Sequence, residues 1–308
     1  MTRRALRGPA ASRPSVPLKA TLDGLYDSFN MPDSAVDPIQ LVRRYRNPED
    51  IEIVAFCAAG LAFGRVASVM QSIERLLVVM GPRPAAFVRT FEPERDGATL
   101  AEFVHRWIRG RDIVALLWVL RQMLEQHGSL ESFFLAGDNG GEDVRLALDS
   151  FSSRALALDL RTPHGKVPKR PGVGYFFPRP SAGSACKRLN LFMRWMVRRD
   201  ALDLGVWTRV SPSRLVVPLD THVIRVGRCL RLTRYTSPGW PMALDITRAL
   251  RALDPDDPVR YDFSVCHLGM MNACGFDTPR GDEHCPLKGA CAPRPTKRAP
   301  SRRAAPQK

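Results

Sequence analysis

At 308 residues, 44% hydrophobic and 25% charged, the chain can bury a full core as one large domain or two lobes, and its composition excludes wholesale disorder. No run approaches the roughly 18 apolar residues that span a bilayer, and the arginine-bearing N-terminus has no apolar secretory segment, so no membrane role and a cytoplasmic location are expected. The formal charge of +15 sits mostly in two Pro-, Ala- and Arg-rich tails: residues 1–19 carry five cations and residues 293–308 carry six, with no acid in either. Both tails are expected to be disordered and to add salt-sensitive attraction to a polyanion, which leaves residues 20–292 as the folded domain.

The first apolar run lies around Leu22, Leu25 and Tyr26. Asp37 and Pro38 then open a helix through Ile39, Leu41, Val42 and Tyr45, since proline at a first helical position gives up no needed N–H. Pro48 starts the next, with Glu49, Asp50 and Glu52 in its first turn. That helix is apolar nearly all round (Ile51, Ile53, Val54, Phe56, Leu61), which predicts a buried, central position. A helix over 66–80 follows, closed by Gly81-Pro82. Apolar residues at three- and four-residue spacing predict helices over 100–107, 113–124 and 144–158, with Trp107 and Trp118 in the core. Segments of period two are nearly absent, so the expected class is all-α.

Residues 160–183 break the pattern with five prolines and four glycines. The run PGVG at 171–174 has the look of a helix-hairpin-helix turn, but Pro178 and Pro180 bar the helix that motif needs next. What remains is a basic loop with Lys169 and Arg170, followed by Tyr175, Phe176 and Phe177. Its aromatics either face a nucleic acid or tuck onto the core.

Ser184 is a suitable cap for a helix whose apolar stripe is Leu189, Phe192, Met193, Met196 and Val197. Lys187, Asn190, Arg194 and Arg198 fall on the other side, as on a phosphate-facing helix or any solvated one. Lys187 in the first turn opposes the helix dipole, which favours a neutral, nucleophilic amine. The apolar run Leu215–Leu219 delivers Asp220 to the head of a helix over 221–230, where it is both a good cap and a fixed, ionised carboxylate.

The segment VPLDTHVIRVGR resembles the VDTH-type segment of the endonuclease III branch of helix-hairpin-helix DNA glycosylases. By that resemblance Asp220 is the catalytic carboxylate and Lys187 the Schiff-base lysine. Their separation of 33 positions is longer than in endonuclease III and similar to the archaeal 8-oxoguanine glycosylase branch. With GSACKRLNLFMRWMVR, DLGVW and DPDDPVRYDF, the chain from about 37 to 270 is identified as a member of an uncharacterised bacterial and archaeal family related to that branch, though the typical LPGVGxKTA hairpin is missing. The resemblance implies a bilobal helical fold with the active site between lobes. It also implies a monomeric DNA glycosylase of base-excision repair, with or without AP-lyase activity, acting on damaged duplex DNA. The alternative is a non-catalytic DNA- or RNA-binding protein on the same scaffold. Arg188, Arg194, Arg198, Lys169, Arg170, His222 and Arg225 are the expected DNA contacts, although a packed role suits His222 too. Trp195 and Trp207 are expected in the core.

Near the end, helices are expected over 239–253 and 259–268 around a turn at 254–258. LGMMNACGFDTPRGDEHCPLKGAC then resembles the iron–sulfur loop of endonuclease III, C-x6-C-x2-C-x5-C. Cys285 and Cys291 reproduce its last spacing and Cys274 stands near its first position, while Asp282 occupies the place of the second cysteine. A fourth ligand would be Cys266 or His284, for an iron–sulfur cluster or zinc. The loop without metal is the other reading, and the expected chemistry requires no cofactor. Cys57, Cys186 and Cys229 lie in apolar helices and are expected to serve packing.

Overall fold

A computed structural model describes residues 17–34, 36–271 and 285–291. The far ends of both basic tails, Cys274 and His284 lie outside the described residues. Helix accounts for 59% and strand for 2%, so the class is all-α. The helices are α1 (Leu18–Phe29), α2 (Ile39–Val42), α3 (Pro48–Leu61), α4 (Val66–Met80), α5 (Pro84–Thr90) and α6 (Pro93–Asp96). A small antiparallel pair, β1 (Val104–His105) and β2 (Ile108–Arg109), precedes α7 (Gly110–His127), α8 (Leu130–Leu135), α9 (Arg145–Ala157) and α10 (Arg161–His164). After a long irregular stretch come α11 (Lys187–Val197), α12 (Thr221–Cys229), α13 (Trp240–Arg251) and α14 (Asp262–Met270). Among the described residues no helix is long and apolar enough to cross a membrane.

Helix α3 is the hub. Asn47 caps it by accepting from Glu49 N at 3.0 Å, and every residue from Asp50 to Leu61 is buried. Its neighbours α2, α4, α5 and α11 cover it on all sides, as its all-round apolar sequence requires. Glu52 is also inside, accepting from the N–H groups of Leu130 and Glu131 at the start of α8 and from Trp207 Nε1. A buried carboxylate is tolerable there because three donors meet it. Trp195 and Trp207 are in the core, and α14 returns to pack on α1, where Tyr261 donates to Asp23 at 2.6 Å.

Three local readings change. The helix expected over 100–107 is instead a 3-10 turn over Gly97–Leu100 and the β1–β2 hairpin, because its apolar residues alternate once Phe103, His105 and Ile108 point inward. Trp107 consequently leaves the core and is 52% exposed at the hairpin tip. The PGVG segment, by contrast, keeps its reading: it is a 3-10 turn over Gly172–Phe176, with no helix following directly.

The third change concerns α11. Its N-cap is Cys186, whose N–H reaches Ser184 Oγ at 3.1 Å, so Lys187 is the first helical residue. The outward basic stripe expected on this helix does not exist. Asn190, Arg194 and Arg198 are all buried. Arg194 pairs with Asp203 at 3.2 Å and Asp262 at 2.6 Å. Arg198 pairs with Asp200 at 3.0 Å, Asp257 at 2.9 Å and Asp203. Asp200 and Asp203 follow directly after the helix, while Asp257 and Asp262 arrive from the DPDDPVRYDF segment, distant in sequence, so helix periodicity alone could not reveal the pairing. Neither arginine is placed to meet a phosphate.

Candidate active site

Between the N-terminus of α11, the loop after α3, the N-terminus of α12 and one face of α14 lies a cavity of about 480 Å³. Lys187 and Asp220 both line it. The sequence order is converted into proximity by two packed helix pairs: α11 lies on α3, and α12 lies on α14.

Lys187 Nζ donates to the carbonyl of Ala62 at 3.0 Å. Ala62 closes α3, where a carbonyl has no further helical N–H to accept from. The amine is therefore held by one neutral acceptor at the cavity wall. Asp220 is the N-cap of α12: Oδ1 accepts from His222 N at 2.9 Å and Val223 N at 2.8 Å. Its other oxygen accepts from Cys266 Sγ at 3.1 Å. Burial and the adjacent Asp220 push the Cys266 thiol well above its ordinary range, so it stays protonated and can donate. Both carboxylate oxygens are thus fixed, one by helix amides and one by a thiol.

The polar wall opposite comes from Arg194, Asp262 and His267. Arg194 Nη1 meets Asp262 Oδ2, while Arg194 Nη2 and Asp262 Oδ1 have no protein partner. Burial, helped by Asp220, pushes the Asp262 carboxyl up to about 6 despite Arg194. His267 stacks on Phe263 at 3.9 Å between centroids and is pulled down by burial, hence neutral near pH 7. Its Nδ1 lies 2.9 Å from the Phe263 carbonyl and must carry the proton, so Nε2 is an acceptor without a partner. His222 Nδ1 is likewise buried and unpartnered, with Gly269 against the ring; a side chain there would sit 2.7 Å from His222 Cβ. Four buried polar atoms without protein partners thus belong to residues that line this cavity, so hydrogen-bonding capacity around it is unfilled.

Arg188 also lines the cavity, but its guanidinium donates to the carbonyls of Gly60 and Tyr175 and lies 3.8 Å over the Tyr175 ring. Burial pulls it down to about 10. It braces the wall with little left for a phosphate. Lys169, Arg170 and Arg225 are exposed. Among the described residues no three histidines, cysteines or acids gather as a metal site, and Cys266 is engaged with Asp220. Cys285 is buried and Cys291 half-buried. The other expected ligands, Cys274 and His284, lie outside the described residues.

Sequence reading missed Asp262 and His267 as cavity residues and the role of Cys266 beside Asp220. The spacing of 262, 266 and 270 on one helical face was the available signal, but nothing in it says which helix that face meets.

Residues 37–271 match the model of a family described as "Protein of unknown function (DUF2400)". The chain belongs to that family. No curated protein and no solved structure matches it. The family match spans every helix that contributes to the cavity, from Asp37 to Met270.

Proposed function

We propose that this family member is a DNA glycosylase that removes a damaged base through Lys187 and Asp220, on a bilobal scaffold with the active site between the lobes. The observation that carries the reading is that one cavity holds both residues, 33 positions apart in sequence, beside a wall of unpartnered polar atoms. A volume of about 480 Å³ suits one nucleotide base with water.

In this mechanism a nucleotide is extruded from the duplex and its base enters the cavity. The Lys187 lone pair forms a bond to C1′ as the glycosidic C–N bond breaks, its electron pair leaving with the base, which takes up a proton. The attached nitrogen loses a proton to solvent, its lone pair forms the C=N bond as the C1′–O4′ bond breaks, O4′ takes up a proton from solvent, and a protonated imine results. Loss of a C2′ proton from that imine expels the 3′ phosphate by β-elimination. Asp220, anchored by two amides and one thiol, offsets the positive charge that develops on the sugar. Arg194, Asp262 and His267 keep one donor and two acceptors unfilled just behind the wall that the base would meet.

The test is borohydride trapping across oligonucleotides with oxidised, deaminated, alkylated and abasic sites. Borohydride reduces the imine to a stable amine, so wild type gives a covalent protein–DNA adduct with at least one lesion. Lys187→Gln gives none while still binding DNA. Absence of an adduct with every lesion, from protein that binds DNA, would leave only a binding function.

A further inference from the structure

The β1–β2 hairpin was unexpected, and its geometry is unusual. Val104 pairs with Arg109 and His105 with Ile108, so the connecting loop is just Arg106 and Trp107. Arg106 has φ +56°, a left-handed conformation that strains any residue with a Cβ. The hairpin is nevertheless held firmly. His105 is buried, with Ser72 Oγ 2.9 Å from one ring nitrogen and the Phe63 carbonyl 3.1 Å from the other. The Arg106 side chain lies so close to Gly64 that a Cβ there would meet Arg106 Nε at 2.8 Å.

What this anchoring presents is an open aromatic surface. Trp107 stacks on Phe63, with centroids 4.7 Å apart and planes 25° apart, and meets Tyr175 edge-on at 5.1 Å. Phe63 lines the cavity, so the exposed indole stands one ring away from its wall. The other four tryptophans are buried or half-buried, whereas Trp107 is 52% and Tyr175 36% exposed. The surrounding segments 63–65, 104–110 and 166–175 carry Arg65, Arg106, Arg109, Lys166, Lys169 and Arg170, all exposed, and no acid.

We propose that Trp107, backed by Phe63 and Tyr175, is a platform on which a DNA base stacks beside the nucleotide held in the cavity. Flat rings ringed by cations fit a strand with π-faces and phosphates; an apolar peptide would have no use for the charge. The strained two-residue tip keeps the indole at a fixed height above the cavity rim instead of letting it fold away. This platform rests on the DNA reading of the cavity, but it does not depend on Lys187 chemistry.

The experiment titrates the full chain with a duplex carrying one abasic site and follows tryptophan fluorescence. Stacking quenches Trp107 while the interior tryptophans stay unaffected. Trp107→Leu should abolish the quench and weaken binding on the order of tenfold to a hundredfold, as loss of one base–aromatic stack does. Trp107→Phe should lose the signal and keep affinity within a few-fold, and unchanged thermal unfolding of both variants shows that they fold. Wild-type affinity in Trp107→Leu, or an undiminished quench, overturns the proposal. So does structured RNA displacing the duplex at lower concentration. Borohydride trapping run in parallel separates the two readings. An adduct with no dependence of binding on Trp107 sinks the platform alone. A Trp107-dependent quench with no adduct sinks the glycosylase alone.

Discussion

Arg198 decides between two roles for the arginines of α11. Its guanidinium touches three carboxylates: Nε lies 2.9 Å from Asp257, Nη2 3.0 Å from Asp200, and Nη1 meets Asp203. The Arg198 side chain is 4% exposed and that of Asp203 1%, whereas Asp257 at 28% is partly screened by water. Arg198→Met strips Asp203 of one of its two cations, leaving only Arg194 at 3.2 Å. Removing one member of a buried ionic network costs about 3–5 kcal/mol, because the remaining charge stays desolvated. For a domain of this size that is a fall in melting temperature of roughly 5–10 °C. Burial already pushes Asp203 upward, and losing Arg198 pushes it further. A carboxyl whose folded value is raised binds its proton more tightly in the native state. Its stabilising contribution is therefore complete at low pH and is lost as pH rises through the folded value. Urea unfolding should show a larger deficit at pH 7.5 than at pH 5, with an unchanged m-value. The contrary result is specific: undiminished stability with weaker DNA binding and a salt slope shallower by about one would make Arg198 a phosphate contact.

Two further outcomes follow from the cavity. Cys266→Ala removes the thiol that donates to Asp220, and the rate of adduct formation with borohydride should fall by about three- to tenfold, the worth of one neutral hydrogen bond, with Cys266→Ser restoring most of it. Because burial keeps this thiol protonated, iodoacetamide at pH 8 should leave Cys266 unmodified in the folded protein; rapid labelling would refute the buried donor. Asp262, raised from an ordinary 3.8 to about 6 by burial, contributes stability through its proton that is full below 3.8 and lost as pH climbs through about 6. A carbon-13 titration of its carboxyl should therefore show a midpoint near 6, and a midpoint below 4 would mean that Arg194 outweighs burial.

Much of the helical framework was legible because helices state their own period. α3, α4, α7 and α9 lie where apolar spacing placed them, and Asp220 caps α12 as its position after an extended run predicted. The 100–110 stretch failed for a physical reason. Leu100, Phe103, Val104 and Trp107 fall at i, i+3, i+4 and i+7 and read as a helical stripe, and only the contacts of His105 with Ser72 and Phe63 turn the stretch into a hairpin with Val104 and Trp107 outward. The failure on α11 is different in kind. Arginine is read as exposed because burying it needs several acids, and those acids come from 200–203 and from 257–262. Pairing between distant segments leaves no periodic trace. The cavity residues on α14 were illegible for the same reason: a helix face has no identity until its partner is known.

The inward turn of Arg194 and Arg198 also constrains how this chain would hold DNA. The PGVG segment is a 3-10 turn with no helix directly after it, and the helix bearing Lys187 presents no row of cations. Residues 20–292 have a net charge of only about +4, so phosphate attraction must be local. Exposed cations gather on the 106–109 tip and the 166–170 loop, which the Trp107–Tyr175 contact holds together beside the cavity. A strand laid along them would bring a nucleotide to the rim at Phe63, and from there Lys187 and Asp220 are on the walls of the same cavity. The positioning of DNA would then come from two loops braced against the core, and recognition of the base from the unpartnered edge of Arg194, Asp262 and His267. On that proposal α11 needs no outward arginines: the ion pairs of Arg194 and Arg198 fix the helix from which Lys187 projects.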